Sequence, residues 1–478
     1  MVKNHDVFHA LFNPRSVAVI GASENPLKMG HQCLLSLSGG AFPGPIYPIH
    51  PQAKEILGMR AYAGLSDVPG EVDLVILAIP ASEVIPALQS CRAKGVRGAV
   101  IITAGFREVE DAQGEQLQKD MALVASRGGI KIIGPNTFGL VNVHARLNAS
   151  FTPVFSRLKP GPISLVGQSG GVSHIITYQA INEGVGLSKV VGLGNRCHVD
   201  FADLLPFLEK DPETRCIILF IESQDDPRDL ISAVKKVTRK KAVVAMKAGR
   251  YPESWKAARS HTGSMAGRYG LYEASLKQAG AIVVQDPGEL LDVAKILTIL
   301  RPPSGRNVAV MSFQAGPGIL LTDAVVEHGL RMACFSPPTQ EQLNRLLPPL
   351  TIRTNPVDIA FAQNESLFEE SLKLILNDEN VDALVIFLLH HPFMDLRRVI
   401  RPVLRQRQLS KKPVILGVNA LHGSIHEEVG ELETSGIPVY SLPDRTIRAL
   451  RGLIAYGEMF KKESTLDTAE KSGKVKSS

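Results

Sequence analysis

The chain lacks the sequence features of secreted, zinc-binding and membrane-spanning proteins. Its five cysteines are scattered over 478 residues and form no C-x-x-C pair, which is typical of free thiols in a reducing compartment and provides no structural zinc site. No uninterrupted apolar run approaches the roughly 18 residues that a membrane helix needs. The N-terminal MVKNHDVFHALFNPRS has no apolar signal core. These absences predict a cytoplasmic protein that does not enter a membrane.

A strong excess of one charge is also missing. The formal net charge of +6 is small for this length, and part of it lies in the last residues, KKESTLDTAEKSGKVKSS. A dedicated nucleic-acid surface is therefore not expected, although a local basic pocket could still bind an anionic ligand.

Two nucleotide-binding signatures are absent. No G-x-x-x-x-G-K-[ST] phosphate loop occurs, so a nucleoside triphosphate would have to bind at a different site, for example on another chain. The turn from Gly21 to Gly30 does not spell G-x-G-x-x-G, and the strand GPIYPIHP ends in His50 and Pro51 where NAD enzymes have an acidic residue. An NAD-dependent enzyme is therefore disfavoured. Lys28 and His50 would instead suit a ligand with an extra phosphate, while Lys28 as a solvated surface lysine is the alternative.

The sequence does contain three segments of one design. Each has a β-branched apolar run, a glycine-rich turn and a plausible helix, and they span Ser16–Gly30, Pro162–Ser173 and Asn307–Ile319. Further apolar runs without polar alternation, such as DLVILAI and ALVIFLL, are typical of strands buried on both faces of a parallel sheet. Helical stretches lie between them. The pattern predicts a doubly wound α/β architecture.

The spacing of these segments indicates three modules of similar size. A polar stretch near residues 142–159 and the sequence RPPSGR at residues 301–306 separate them. We place the domains at residues 1–145, 146–303 and 304–462. The polar tail at 463–478 has too few apolar residues to pack and is predicted to be disordered.

Glycine-rich turns that lead into helices can bind anions. Such a turn exposes backbone N–H groups at the positive end of the helix dipole, so it needs no charged side chain. Three such turns make phosphate-bearing ligands the leading hypothesis. The alternative is that the glycines only allow the chain to bend tightly between strand and helix.

One histidine stands in an unusually bare setting. His261 lies in AARSHTGSMAG among small residues, so its ring can be reached from several directions, and imidazole can act as a nucleophile when a carboxylate fixes its tautomer. The candidate carboxylate is Glu222, which follows the buried strand CIILFI at the end where α/β folds place their sites. With the turn at Gly167–Gly171, the pair would make His261 a phosphoryl carrier. The alternatives are an ordinary surface histidine and a solvated or capping glutamate.

A second polar cluster follows another predicted strand. Asn195 to Asp200 could line a site, but the spacing of their side chains matches no metal pattern, so no metal is expected.

The order of these motifs is similar to that of a known family. The segments that match are FNPRSVAVIGAS, IYPIHP, AIPASEV, ITAGF, GPNTFGLVN, VGQSGGV, GLGN, DPETRCIILFIES, KAGR, SHTGSMAG and QAGPGI. Together they resemble the α subunit of ADP-forming acyl-CoA synthetases (acetate–CoA ligase, ADP-forming), relatives of succinyl-CoA synthetase. The resemblance implies a Rossmann-like CoA-binding domain followed by two flavodoxin-like doubly wound ligase domains.

The resemblance also implies a reaction and a set of site residues. Acyl-CoA, phosphate and ADP would be interconverted with carboxylic acid, CoA and ATP through an acyl phosphate and a phosphohistidine. His261 would carry the phosphoryl group and Glu222 would orient it. The phosphate-binding positions would be Gln168, Ser169, Gly170 and Gly171. The CoA-binding positions would be Gly21, Ala22, Ser23, Lys28, His50, Pro51, Gln52, Ile79, Pro80, Thr103, Ala104, Gly105 and Asn136.

The missing phosphate loop has an explanation within this family. Its members place ATP or ADP, with Mg²⁺, on an ATP-grasp β subunit or fused module, so the resemblance implies a hetero-oligomer with such a partner, for which α2β2 is one arrangement.

The sequence departs from the family at three places. Tyr269 and Gly270 stand where an acidic residue is frequent, Thr137 and Phe138 follow GPN, and Arg196 to His198 are atypical after GLGN. These departures leave the identity of the acyl substrate undetermined, and a bulkier acyl group is one option. They also leave open an alternative function, that of a regulatory paralogue that binds CoA or acyl-CoA without transferring phosphate.

Overall fold

The computed structural model describes residues 8–223, 227–254, 269–349, 351–359, 364–391, 395–421 and 423–474. The chain forms two compact units, Met1–Leu290 and Leu291–Ser478. Within the described ranges, no helix combines the length and the apolar character needed to cross a membrane.

The first sheet of unit 1 has five parallel strands in the order β2-β1-β5-β6-β7. Adjacent residues of its central strand, Val75 and Ile76, belong to different hydrophobic cores, which explains why the run is continuously apolar. The strands are β1 (Val17–Ile20), β2 (Ile46–Ile49), β5 (Leu74–Leu77), β6 (Gly98–Ile101) and β7 (Lys131–Ile133), with a small hairpin of β3 (Glu55–Ile56) and β4 (Met59–Arg60). The helices are α1 (His9–Phe12), α2 (Met29–Gly39), α3 (Ala81–Lys94) and α4 (Ala112–Gly128), with 3₁₀ turns at Leu65–Asp67 and Arg107–Val109.

The second sheet of unit 1 has seven strands in the order β14-β13-β12-β10-β11-β8-β9. The first five in that order are parallel, and β8 and β9 are antiparallel. The strands are β8 (Gly139–Asn142), β9 (Leu147–Ser150), β10 (Pro160–Gly167), β11 (Leu187–Gly192), β12 (Cys216–Ile221), β13 (Ala242–Lys247) and β14 (Ile282–Val283). The helices are α5 (Gly170–Glu183), α6 (Phe201–Lys210), α7 (Pro227–Val237) and α8 (Tyr269–Gln278), with a 3₁₀ helix at Pro153–Arg157.

The hairpin of β8 and β9 lies where the sequence predicted a domain boundary, near residue 145. Because β8 pairs with β11, the chain passes from the first sheet to the second between Ile133 and Gly139. Some of the polar residues that suggested a linker are buried and bond to one another: Asn148 donates to the Thr152 carbonyl at 3.1 Å, and Ser150 donates to Asn148 Oδ1 at 2.6 Å.

Unit 2 contains a third, parallel sheet in the order β16-β15-β18-β19-β20, with β17 also paired to β15. Its strands are β15 (Asn307–Ser312), β16 (Arg331–Met332), β17 (Val357–Asp358), β18 (Ala383–Leu389), β19 (Val414–Asn419) and β20 (Val439–Tyr440). The helices are α9 (Pro287–Ile299), which begins just before the division between the units, α10 (Ala315–Glu327), α11 (Pro337–Leu346), α12 (Glu365–Asn377), α13 (Arg397–Leu409), α14 (His426–Thr434) and α15 (Pro443–Lys474).

The last helix differs from the expectation for the C-terminus. Residues 463–474, predicted to be disordered, continue α15. The Ala, Leu, Glu and Lys residues in this stretch have high helix propensity, which can extend a helix where few apolar residues are present to pack.

The three sheets share one strand order. Counted along their parallel strands, the first two sheets read 2-1-3-4-5, with the first and third strands adjacent at the centre, and the third sheet has the same order when the two-residue strand β17 is left out. The loops that follow these two neighbouring strands run to opposite faces of the sheet. A crevice therefore opens between the two loops, at the carboxyl ends of the strands. The prediction of successive doubly wound α/β modules is confirmed.

The turn after β1 is closed by two glycines. Gly21 has a φ of +89°, and a Cβ at Gly30 would lie 1.9 Å from the Gly21 carbonyl oxygen. The start of α2 can therefore approach the turn only because Gly30 lacks a side chain, and the positive φ of the turn favours glycine at position 21.

Replacing Gly30 by alanine is expected to lower the urea midpoint of unit 1. The added methyl group must push α2 away from the turn, and overpacking of this kind costs about 1–3 kcal/mol. Gly270 is a matched control, because it is also the second residue of a helix but has no heavy atom of the described residues within 4 Å of the Cβ position. Gly270→Ala should leave the midpoint unchanged or raise it, and equal midpoints for both variants would contradict the close approach at Gly30.

Candidate functional site

A cavity of about 970 Å³ lies in unit 1 at the carboxyl ends of its strands. Segments that follow seven parallel strands of the two sheets contribute to it, which is the position expected for a site in doubly wound folds. The residues that line it are Leu27, Lys28, Met29, Ala78, Ile79, Pro80, Ile102, Thr103, Ala104, Asn136, Thr137, Phe138, Phe151, Gln168, Ser169, Gly170, Gly171, His174, Gly194, Asn195 and Glu222.

The cavity brings together many of the residues singled out from the sequence. Those that line it are Lys28, Ile79, Pro80, Thr103, Ala104, Asn136, Gln168, Ser169, Gly170, Gly171 and Glu222. The predicted CoA positions Gly21, Ala22, Ser23, His50, Pro51, Gln52 and Gly105 are not among the lining residues. His261 lies outside the described residues.

The start of α5 forms one wall of the cavity. Ser169 precedes the helix, Gly170 and Gly171 are its first residues, and no acidic side chain occupies its first turn. The first N–H groups of a helix have no carbonyl partner within the helix. Together with the helix dipole, N–H groups of this kind can bind an anion, and two glycines allow a ligand to approach the backbone closely.

Gln168 connects this helix start to Glu222. The Gln168 side-chain oxygen accepts hydrogen bonds from the backbone N–H groups of Glu222 and Ser223, both at 3.0 Å, and its Nε2 donates to Ser223 Oγ at 2.9 Å. The side chain is only 6% exposed. One buried amide therefore links the ends of the paired strands β10 and β12 and holds the backbone of Glu222 beside the start of α5.

Lys247 holds the other side of Glu222. Its Nζ donates to the carbonyl oxygens of Glu222 and Ala248 at 2.7 and 2.6 Å and lies 5.3 Å from the centre of the Tyr272 ring. Burial lowers the pKa of Lys247 to about 8, and the negative charge of Glu222 opposes this shift. The sequence analysis missed this residue, although a lysine that ends the apolar strand AVVAMK was a usable signal.

The loops on the opposite wall are joined through Asn195. Its side-chain Nδ2 donates to Gln118 Oε1 at 3.0 Å and to Glu108, and Asn136 Nδ2 donates to Asn195 Oδ1 at 3.4 Å. Glu108 Oε1 also accepts from the Gly105 backbone N–H at 2.6 Å. Gly105 thus takes part in fixing the loop after β6 without lining the cavity.

Aromatic side chains form a third part of the cavity wall. His174 lies on the second turn of α5. The centroid of its ring is 5.2 Å from that of Phe138 and 6.3 Å from that of Phe151. It is 4.7 Å from the ring centroid of Phe155 and 5.6 Å from that of Tyr178. Of these, Phe138, Phe151 and His174 line the cavity. They are distant in sequence, so no local pattern could reveal that they meet.

Both ring nitrogens of His174 are engaged within the protein. Nδ1 lies 2.7 Å from the Gly170 carbonyl oxygen and must donate to it, while Nε2 lies 2.8 Å from Thr152 Oγ1. A carbonyl oxygen can only accept, so the neutral ring carries its proton on Nδ1 and accepts at Nε2 from the threonine hydroxyl.

Three family models match successive parts of the chain. They describe a CoA binding domain at residues 15–142, a succinyl-CoA ligase like flavodoxin domain at residues 160–297 and a ligase-CoA domain at residues 308–446. These matches agree with the order of the three sheets and confirm the predicted Rossmann-like and flavodoxin-like domains.

Curated relatives match along nearly the whole chain. The α subunit of acetate–CoA ligase [ADP-forming] II from Pyrococcus furiosus is 39% identical over 93% of this chain and 96% of that protein. Acetate–CoA ligase [ADP-forming] I from Archaeoglobus fulgidus is 36% identical over 95% of this chain, which spans 64% of that longer protein.

A solved structure with the same architecture binds phosphate and a nucleotide. It is the dinucleotide-forming acetyl-coenzyme A synthetase 1 of Ca. Korarchaeum cryptofilum in complex with phosphate and ADP, with a TM-score of 0.83 and 31% identity over 94% of this chain and 97% of that chain.

Lys247→Met is expected to destabilise unit 1 in a pH-dependent way. The change leaves the buried carbonyl oxygens of Glu222 and Ala248 without a donor, which costs about 1–3 kcal/mol. In wild type the pKa of Lys247 is about 8 instead of 10.5, so from pH 8 towards 10.5 the unfolded state binds more protons than the folded state. The free energy of unfolding of wild type should therefore rise relative to the variant across this range.

Urea unfolding at several pH values measures this difference. Lys236→Met provides the matched control, because Lys236 is an exposed lysine of α7. A constant difference between wild type and Lys247→Met from neutral pH to pH 10 would show that Lys247 is not held with a lowered pKa.

Proposed function

The chain belongs to the α subunits of the ADP-forming acetate–CoA ligases, and we propose that its unit 1 cavity is where acyl-CoA and phosphate are interconverted with CoA and an acyl phosphate. The observation that carries this proposal is the link through Gln168, which holds Glu222 beside the anion-binding start of α5. The overall reaction is that of an acid–thiol ligase: acyl-CoA, phosphate and ADP are interconverted with carboxylic acid, CoA and ATP.

CoA is proposed to bind along the first sheet. The proposed contacts are the turns after β1, β2, β5, β6 and β7, namely Gly21 to Ser23, His50 to Gln52, Ile79 and Pro80, Thr103 to Gly105, and Asn136. The Gly21 turn packs closely on the turn after β5, since a Cβ at Gly21 would lie 2.3 Å from the Ala78 carbonyl oxygen, and Lys28 brings a cation to the rim of the cavity for a phosphate of CoA. The thiol end would then point toward the second sheet.

The first chemical step takes place at the start of α5. Phosphate bound by Ser169, Gly170 and Gly171 attacks the thioester carbon, a C–O bond forms, and the C–S bond breaks. The thiolate of CoA leaves and takes a proton from solvent. The backbone N–H groups at the helix start hold the negative charge of the phosphate during this step.

The second step moves the phosphoryl group to His261. One ring nitrogen attacks phosphorus while the bond to the acyl oxygen breaks, so that the carboxylate leaves and the phosphohistidine remains. Glu222 is proposed to accept a hydrogen bond from the other ring N–H, which fixes the tautomer and stabilises the positive charge that develops on the ring. Both intermediates react with water, so the cavity must exclude it.

The third step requires a partner. We propose an ATP-grasp β subunit that holds ADP or ATP with Mg²⁺ and accepts the phosphoryl group from His261. Support comes from the designation of the Pyrococcus relative as a subunit, and from the additional length of the Archaeoglobus protein beyond the part that this chain matches. The free thiols of the described cysteines support a cytoplasmic setting.

Phosphoryl transfer to His261 can be tested without the partner. With acetyl-CoA and ³²P-labelled phosphate, wild type is expected to acquire acid-labile, base-stable label, and His261→Ala to acquire none. His144→Ala is the control, because His144 is a histidine outside the cavity. Label on His261→Ala, or its absence from wild type that still binds CoA, would refute the carrier role and favour a regulatory CoA-binding protein.

Replacing Glu222 by glutamine isolates the role of its charge. The variant keeps the backbone bonds to Gln168 and Lys247, so CoA should bind with unchanged affinity. The initial rate of labelling is expected to fall by about 100-fold or more, as is typical when a group that assists proton placement is removed. An unchanged labelling rate would remove Glu222 from the proposed mechanism.

A further inference from the structure

We propose that His31 is a positioning residue for the binding of CoA. Its imidazole fixes the loop at residues 22–28, called here the β1 loop, so that Lys28 meets a phosphate of CoA at the rim of the cavity. His31 is not among the residues that line the cavity and acts through the loop. The proposal rests on the function proposed above, since it takes the unit 1 cavity as the CoA site.

The β1 loop has little packing that could fix its conformation. Residues 24–29 are all exposed, and Leu27 is 89% exposed. An exposed segment gains little from burial of apolar area, so its order depends on the hydrogen bonds that hold it.

His31 bonds to the β1 loop from inside the protein. It is the third residue of α2 and only 7% exposed, and its Nδ1 lies 3.0 Å from the carbonyl oxygen of Ser23. A carbonyl oxygen can only accept, so Nδ1 carries a proton and donates. The neighbouring α2 residues Cys33 and Leu34 belong to a hydrophobic core of unit 1. The bond therefore ties the start of the loop to a well-packed helix.

Further bonds inside the loop continue from Ser23 to Lys28. The Asn25 N–H donates to Ser23 Oγ at 3.1 Å, and the Leu27 N–H donates to Asn25 Oδ1 at 2.9 Å. The Lys28 N–H donates to the Asn25 carbonyl oxygen at 3.0 Å. The position of Ser23, which His31 fixes, is thereby passed on to the backbone of Lys28.

Two other bonds hold the middle of the loop, and both are exposed to solvent. Gln32 Nε2 donates to the Pro26 carbonyl oxygen at 2.6 Å, and Glu24 Oε1 accepts from the Leu57 N–H at 2.7 Å. Water competes for exposed hydrogen bonds, so they stabilise the loop less than a bond from a buried ring does. His31 is therefore the main external anchor of the loop.

Lys28 is the loop residue suited to bind a phosphate. It lines the cavity and immediately precedes α2, and its ammonium has no hydrogen bond or ion pair to any residue in the described ranges. A flexible lysine loses rotamer freedom when it binds an anion. If its backbone were not already fixed, ordering of the loop would add to this cost and lower the affinity. The bond from His31 removes that additional cost.

A double-variant comparison tests the proposal with the full chain, using calorimetric titration with CoA. Lys28→Met is expected to weaken binding by about 5- to 30-fold, through loss of a charged contact to phosphate. His31→Leu keeps a buried apolar side chain but removes the donor, and should weaken binding by about 2- to 10-fold. Because His31 acts through Lys28, the double variant should bind as Lys28→Met alone does.

Two further variants identify the donor as the cause. His31→Asn can place an amide N–H near the position of Nδ1, and should restore the affinity to within about 2-fold of wild type. His144→Leu is the matched control, because the His144 ring also bonds to a backbone carbonyl, that of Gly161 at 3.2 Å, but is not near the β1 loop in sequence and does not line the cavity. Its affinity for CoA should equal that of wild type.

The labelling reaction separates positioning from a general loss of structure. His31→Leu should raise the acetyl-CoA concentration that gives half the maximal rate by the same factor as it weakens CoA binding. The maximal rate should stay close to that of wild type, because the start of α5 and Glu222 are untouched. Damage to unit 1 as a whole would lower the maximal rate instead.

Asn25→Ala provides a second way to loosen the loop without a change in the core. Asn25 is exposed, and the variant removes the bond to the Leu27 N–H. It should weaken CoA binding in the wild-type background and have no effect when Lys28 is already methionine. The test therefore remains decisive even if His31→Leu does not fold.

The outcomes distinguish this proposal from the function on which it rests. CoA binding that is unchanged in Lys28→Met, losses that add in the double variants, or a His31→Asn variant as weak as His31→Leu would overturn the positioning role while leaving CoA binding intact. Failure of wild type to bind CoA would refute the proposed function itself.

Discussion

The site in unit 1 depends on the buried side-chain amide of Gln168. Glu222 and Ser223 follow the end of β12. Their backbone N–H groups both donate to Gln168 Oε1. The residue that follows Gln168 precedes α5, so the same short segment starts the helix proposed to bind phosphate and fixes the backbone of Glu222. A buried amide that lost these partners would leave several polar groups without hydrogen bonds, at about 1–3 kcal/mol for each. The helix start and Glu222 therefore cannot move independently.

The fold could be predicted from the sequence because buried parallel strands have a simple signature. Continuous apolar runs occur where neighbouring residues face different cores, as for Val75 and Ile76, and glycine turns mark the first strand of each module. The hairpin of β8 and β9 has no such signature. Its polar residues suggested a linker, yet Asn148 and Ser150 satisfy each other in a buried position. Composition cannot distinguish a solvated polar segment from one whose polar groups are paired inside the protein.

The candidate site was predictable only in part, for a related reason. Gln168 and Glu222 lie directly after strands, where sequence alone indicates a site. The contributions of Lys247 and of the Phe138, Phe151 and His174 group depend on tertiary contacts between residues far apart in sequence. The departure at Thr137 and Phe138 looked like a loss of a family feature. In the structure Thr137 bonds to the backbone of β8 and β11, and Phe138 becomes part of the cavity wall.

The proposed function places two anions, a bound phosphate and the Glu222 carboxylate, in the same cavity, so their charges have to be offset by nearby positive charge. A bound phosphate and the Glu222 carboxylate would repel each other, and the repulsion would be strong in a site from which water is excluded. The helix dipole of α5 offsets part of it from the phosphate side. Lys247 acts from the other side: its buried ammonium is held by the carbonyl oxygen of Glu222, and the two side chains attract, since the charge of Glu222 raises the pKa of Lys247 against the effect of burial. The same lysine therefore fixes the backbone of Glu222 and offsets part of the negative charge that a phosphate at the start of α5 would meet.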